Sequence, residues 1–145
     1  MNATRRKVNV LVAEDNEDHL FLMVRALRDV AGVHIEVEGV SNGEEALDYV
    51  YARGEFTDRE LPNLIFLDLR MPKVDGLEVL ARLKQDPKFA MIPIVMLTSS
   101  DRPEDVEAAY RLGTNSYVTK PSGGQGLQNI TDYWTTETLL PDVDP

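Results

Sequence analysis

The chain has no cysteine among its 145 residues, which excludes a disulfide framework, a thiolate metal centre and a cysteine nucleophile. It has no apolar run of the length a membrane span needs. Arg5-Arg6-Lys7 has the charge of an export-signal start, but the apolar stretch behind it is short and runs into Glu14-Asp15. A cytoplasmic location is therefore expected, with no membrane association. Positive charge is scarce: 15 Lys and Arg stand against 25 Asp and Glu, a net charge of −10. Nucleic acid requires a basic surface and is not an expected partner. No glycine-rich loop follows the first apolar run, so the backbone cradle for nucleotide phosphates is missing. There is no internal repeat and no interdomain linker, and the length suits one domain over 1–145, with a core of about 8–136 and a short tail over 137–145. What is present is an ordinary globular composition, 43% apolar and 28% charged.

The apolar residues fall into five short runs separated by helical patterns. Residues 64–67, after Asn63, form a continuous apolar run without polar alternation, which suits a strand buried on both faces of a parallel sheet. Residues 8–13 and 94–97 read the same way. Residues 34–40 alternate through Ile35 and Val37 and predict a strand nearer a sheet edge. Residues 116–119 are a short fifth strand. Between them, Asn16 caps a helix carrying Leu20, Met23, Val24 and Leu27 at helical spacing. Ser41 with Glu44 reads as a capping box before Leu47, Val50 and Tyr51. Asp75-Gly76 opens a third helix with Leu77, Leu80 and Ala81 as its buried stripe. Pro103 opens a fourth that stops at Gly113. Leu127, Ile130, Thr131 and Trp134 carry a fifth, behind the glycine-rich stretch Ser122 to Gly126. The polar connection from Arg53 to Leu61 is longer than most and carries no readable signal.

A strand and a helix alternate five times. Helical crossovers imply a parallel sheet with right-handed connections, so all strands point one way. Glu14, Asp15, Asp68, Thr98 and Lys120 each end or follow a strand and so share one rim, where sites form in open α/β sheets. A lone loop aspartate commonly caps a turn. Acids on two different strand ends are not explained that way. Clustered carboxylates suit a hard divalent cation, and Mg²⁺ fits. A metal, the Lys120 ammonium and the Thr98 hydroxyl around one aspartate suit a phosphoryl group, with Asp68 as a carboxylate nucleophile.

Glu14-Asp15, Leu67-Asp68-Leu69-Arg70-Met71-Pro72, Gly76, Leu97-Thr98-Ser99 and Tyr117 before Lys120-Pro121 together make the chain similar to response-regulator receiver domains of two-component systems. The match runs from Val8 to about Trp134, and the spacing of Asp68, Thr98 and Lys120 is usual for that family. The resemblance implies a flavodoxin-like sheet of order 2-1-3-4-5 with five helices. It implies a phosphoacceptor rather than an enzyme, one that assists its own phosphotransfer and dephosphorylation. Asp68 takes a phosphoryl group from a histidine kinase. Asp15, Asp68 and the carbonyl of Arg70 hold Mg²⁺, with Glu14 acting through water. Lys120 and Thr98 contact the phosphoryl group, Thr98 and Tyr117 form a switch pair, and the Lys120–Pro121 bond is cis.

The long 53–61 connection, the glycine-rich lead-in to the last helix and a chain that continues past it without an effector domain depart from the common pattern. That combination is similar to stand-alone regulators paired with bacterial phytochrome kinases. Such a regulator is expected to form a homodimer through the last helix and the tail, using Tyr133, Trp134 and Leu139-Leu140-Pro141. Leu127, Ile130 and Trp134 face the core and leave Tyr133 off that stripe. Two alternatives remain: a degenerate receiver that only binds protein, and a small aspartyl-phosphate hydrolase. Hydrolases of that kind usually carry a second aspartate two residues after the nucleophile, where this chain has Arg70.

Overall fold

The structure, a computed structural model of the chain, describes residues 6–121 and 123–136. The elements run β1 (Arg6–Ala13), α1 (Glu17–Arg28), β2 (Val33–Val40), α2 (Gly43–Val50), a 3₁₀ turn (Gly54–Phe56), β3 (Leu64–Leu67), α3 (Gly76–Gln85), β4 (Ile94–Thr98), α4 (Pro103–Arg111), β5 (Ser116–Thr119) and α5 (Gly124–Thr136). All strand pairs are parallel and the order is β2-β1-β3-β4-β5, as the alternation of elements implied. Every residue of β3 and β4 is buried, whereas β2 and β5 lie at the edges.

Burial follows from the two-residue period of a strand. Leu11, Ala13, Ile65, Leu67, Ile94 and Met96 face α2, α3 and α4. Val8, Val10, Val12, Leu64, Phe66, Val95 and Leu97 face α1 and α5. Fully burying one such side chain contributes about 1.5–3 kcal/mol. The two cores together fix the register of every strand, because a one-residue slip would exchange the faces.

Helix starts follow the expected chemistry, with two shifts of register. Asn16 caps α1 by accepting from the His19 amide at 3.0 Å. At α2 the cap is Asn42 rather than Ser41, and it accepts from the Glu45 amide at 2.8 Å. Glu45, not Glu44, reaches back to the Ser41 amide at 3.0 Å. The shift places Gly43 at the first helical position, where a Cβ would lie 1.9 Å from the Val74 carbonyl oxygen. Only glycine lets α2 start against the loop between β3 and α3. In α3 the buried stripe is Gly76, Val79, Leu80 and Leu83; Leu77 and Ala81 are half-buried.

The long 53–61 connection is an ordered clamp. The Arg59 guanidinium donates to the last carbonyls of α2, at 2.7 Å to Val50 and 3.1 Å to Tyr49. Phe56 packs edge-on against Tyr49 with ring centroids 5.3 Å apart. In α5, Leu127 is buried, Ile130 and Trp134 pack against the α1-side core, and Tyr133 is 59% exposed. The tail residues Leu139, Leu140 and Pro141, and Ser122 in the glycine-rich stretch, lie outside the described residues. The Lys120–Pro121 bond is trans, which corrects the cis expectation. A trans bond is the intrinsic preference of X–Pro by about 0.5–1 kcal/mol.

Candidate functional site

The rim is assembled by backbone bonds that extend past the strands themselves. The Glu14 amide donates to the Val40 carbonyl at 3.0 Å, and the Asp68 amide to the Ala13 carbonyl at 3.0 Å. The Lys120 amide donates to the Thr98 carbonyl at 2.8 Å. These bonds set Asp68 beside the acidic pair and Lys120 beside Thr98. Behind them, Gly76 brings the start of α3 so close that a Cβ there would lie 2.0 Å from the Asp68 carbonyl oxygen.

The side chains then converge. Nζ of Lys120 lies 2.6 Å from Oε1 of Glu14 and 3.0 Å from Oδ2 of Asp68. The other oxygen of Glu14 accepts from the Asn16 amide at 3.0 Å. Glu14, Asp15 and Asp68 each offer a carboxylate oxygen within 4.8 Å of the others. Glu14 and Asp68 are buried and Asp15 is exposed. Thr98 is buried at the end of β4, and its Oγ1 lies 3.4 Å from the Ser100 amide. Tyr117 stands half-buried on β5 and donates its hydroxyl to the Ser100 carbonyl at 2.8 Å. The Arg70 side chain turns outward and shares an open cavity of about 380 Å³ with Asp15, Met71, Pro72 and Asp75.

The electrostatics of the cluster are unbalanced. Burial pushes the Glu14 carboxyl up to about 7; the neighbouring Asp68 adds to this, and Lys120 and the Asn16 amide oppose it. Burial works against the charged form of Lys120, but its bonds to Glu14 and Asp68 hold it above the ordinary lysine value. Because the Glu14 carboxyl titrates above its ordinary value, the folded chain holds that proton more tightly than the unfolded chain. Its contribution to folding therefore declines as pH rises from the ordinary carboxyl range through about 7. Three carboxylates gathered against one ammonium are a donor set short of positive charge. A hard divalent cation fits it.

His19 was not singled out in the sequence. Its Nδ1 lies 4.0 Å from Oε1 of Glu14, buried and without a hydrogen-bond partner. Burial, then the Lys120 charge, lowers its tendency to protonate. Its position one turn into α1, four residues after Asp15, was the available signal.

Residues 10–132 match the family model described as the response regulator receiver domain. The chain is 39% identical over 129 residues to a probable methanogenesis regulatory protein, FilR2, of Methanothrix harundinacea, covering 86% of this chain and 82% of that one. It is 37% identical over 136 residues to the response regulator Rcp1 of Synechocystis, covering 91% of this chain and 92% of Rcp1. The crystal structure of the Mn²⁺-bound form of Rcp1 superposes with a TM-score of 0.86 at 34% identity, over 93% of this chain and 99% of that one. The phosphorylated cyanobacterial phytochrome response regulator RcpA also superposes with a TM-score of 0.86, at 36% identity over 94% of this chain and 99% of that one.

Proposed function

This chain belongs to the response regulator receiver family, and from that premise we propose that Asp68 accepts a phosphoryl group from the phosphohistidine of a sensor histidine kinase. The observation that carries the proposal is the buried Asp68 carboxylate, 3.0 Å from the Lys120 ammonium and gathered with Glu14 and Asp15 on the rim. An oxygen of Asp68 attacks phosphorus, the P–N bond of the donor breaks, and its electron pair returns to the imidazole nitrogen. Lys120, already bonded to Asp68, stays beside the transferred group and offsets charge on its oxygens. Thr98, at the end of the next strand, donates its hydroxyl to the phosphoryl group and so couples occupancy to the loop that follows it. Asp15, Asp68 and the Arg70 carbonyl would hold Mg²⁺, with Glu14 acting through water, and the ion would neutralise the acids and the incoming oxygens. The protein works as a signalling phosphoacceptor that assists its own transfer and dephosphorylation, and Thr98 with Tyr117 forms its switch.

The likeness to the cyanobacterial phytochrome response regulator RcpA supports a bacterial phytochrome as the kinase. The net charge of −10 supports a protein rather than a nucleic-acid partner. The cell compartment we propose is the cytoplasm; among the described residues no helix is long and apolar enough to cross a membrane. Readout is by a homodimer through α5 and the tail, supported by Tyr133, which stands exposed and edge-on to Trp134 at 5.3 Å. A two-fold contact is the commonest closed assembly, and aromatic anchors commonly form the energetic centre of such contacts.

Calorimetry with Mg²⁺ tests the metal assignment. Losing an outer-shell partner of a metal site commonly costs 10–100-fold in affinity, so Asp15→Ala should weaken binding by at least about tenfold. Unchanged affinity would remove Asp15 from the site. For the dimer, light scattering should report a dimer for the full chain and mostly monomer after truncation at Glu137. A full chain that stays monomeric at high concentration, with and without a phosphoryl mimic, would overturn it.

A further inference from the structure

Two residues beyond Asp68, Arg70 carries a side chain that is 60% exposed, yet it touches a buried acid. Its Nη2 lies 3.4 Å from Oδ2 and 3.5 Å from Oδ1 of Asp105, in the first turn of α4. Its Nη1 lies 4.0 Å from Oδ2 of Asp75, the cap of α3. Charge-assisted bonds normally measure about 2.7–2.9 Å, so Arg70 is loosely held by both acids. Asp105 is held far better from its other side, where Oγ of Ser100 donates to Oδ2 at 2.5 Å. Ser100 is also the residue whose carbonyl accepts from Tyr117 at 2.8 Å and whose amide lies 3.4 Å from Oγ1 of Thr98. One buried carboxylate thus joins the rim of β3 to the β4–α4 loop, to α4 and, through Ser100, to β5.

We infer that Arg70 is a partner-exchanging residue: it braces α4 through Asp105 in the unphosphorylated protein and leaves Asp105 for the phosphoryl group once Asp68 carries one. The inference rests on Asp68 being the acceptor. A phosphoryl group carries more charge than the Asp105 carboxylate, about −1.5 to −2. The planar guanidinium fork matches its oxygens in a way a carboxylate ion pair at 3.4 Å does not. An exposed, poorly aligned ion pair contributes little and is readily given up. Arg70 and Asp15 line the same open cavity at the rim, so Arg70 borders the space beside the metal-binding acid. When Arg70 leaves, Asp105 keeps only the Ser100 bond among these contacts. The first turn of α4 then loses its tie to the rim of β3, while Ser100 goes on holding Asp105 and accepting from Tyr117.

The test uses the full chain with beryllofluoride and Mg²⁺ as the phosphoryl mimic, with affinity read by calorimetry. Arg70→Ala should bind the mimic about tenfold more weakly, having lost a charged partner of the phosphoryl oxygens. Asp105→Asn, which keeps the size and an acceptor for Ser100, should bind it about threefold more tightly, because the competitor for Arg70 has lost its charge. In the double variant the Asp105→Asn gain should vanish. Arg70→Lys, with charge but no fork, should recover part of the loss. Opposite signs in the two single variants are the signature, since a merely structural role would move both the same way. Two variants that both tighten make Arg70 only a brace, two that both weaken indicate structural damage, and two unchanged affinities make the pair inert. Any of these overturns the inference. A wild-type chain that binds no beryllofluoride overturns the acceptor reading itself, and this inference with it.

Discussion

Incubated with acetyl phosphate and Mg²⁺, the wild-type chain is expected to gain the mass of one phosphoryl group, and the Asp68→Asn chain none. The loss should be complete, because an amide in place of the carboxylate has no anionic oxygen with which to attack phosphorus. Misfolding is not a competing explanation. Asparagine has the shape of aspartate, and Lys120 keeps Glu14 as an ion-pair partner at 2.6 Å. The substitution also removes one of the negative charges that push the Glu14 carboxyl upward. Circular dichroism and thermal melting should therefore show a folded Asp68→Asn protein. Equal labelling of the two chains in intact mass would place the acceptor elsewhere and sink the assignment.

The second large effect is on stability. Alanine normally replaces glycine in a helix with a gain of about 1 kcal/mol. At Gly76 the sign should reverse. The added Cβ would lie 2.0 Å from the Asp68 carbonyl oxygen and 2.9 Å from that of Leu69, and both neighbours are backbone rather than movable side chain. Overpacking of this kind costs about 3 kcal/mol or more, and at this chain length that corresponds to a melting temperature lowered by roughly 6–12 °C. Gly124→Ala is the control, since nothing lies within 4 Å of a Cβ at that position. A Gly76→Ala protein that melts with the wild type would show that α3 can shift away from Asp68 at no cost. Where the variant stays folded, its labelling by acetyl phosphate should be slower, because the carbonyl that must move belongs to the acceptor residue itself.

Much of this was legible in the chain before any coordinates. Two-residue and 3.6-residue periodicities give the elements, and crossover topology then forces Glu14, Asp15, Asp68 and Lys120 onto one rim. What periodicity does not encode is close approach between backbones. Gly43 and Gly76 each sit where a Cβ would strike another segment. Those contacts set the register of α2 and α3, so Asn42 rather than Ser41 became the cap, and Val79 and Leu83 rather than Leu77 and Ala81 joined the core. The role of the 53–61 connection was hidden for a related reason. Arg59 and Phe56 act on carbonyls and rings of α2, across a distance in sequence that composition does not reveal. The family resemblance gives Arg70 a metal-binding role through its carbonyl and none for its side chain. The partner of that side chain, Asp105, lies in the first turn of α4, 35 residues further along the chain.

The rim also has a bearing on when the protein becomes competent. Its parts come from the ends of β1, β3, β4 and β5, and the acidic pair at Glu14-Asp15 belongs to the first strand made. During synthesis that strand can pair with β2 early, but Asp68 joins it only when β3 is in place, and Lys120 only when the last strand has closed the sheet. A nascent or truncated chain therefore carries acids without their ammonium, with Glu14 and Asp68 facing each other unrelieved. Acceptance of a phosphoryl group would then report completion of the fold, and an incompletely made regulator would stay silent toward its kinase.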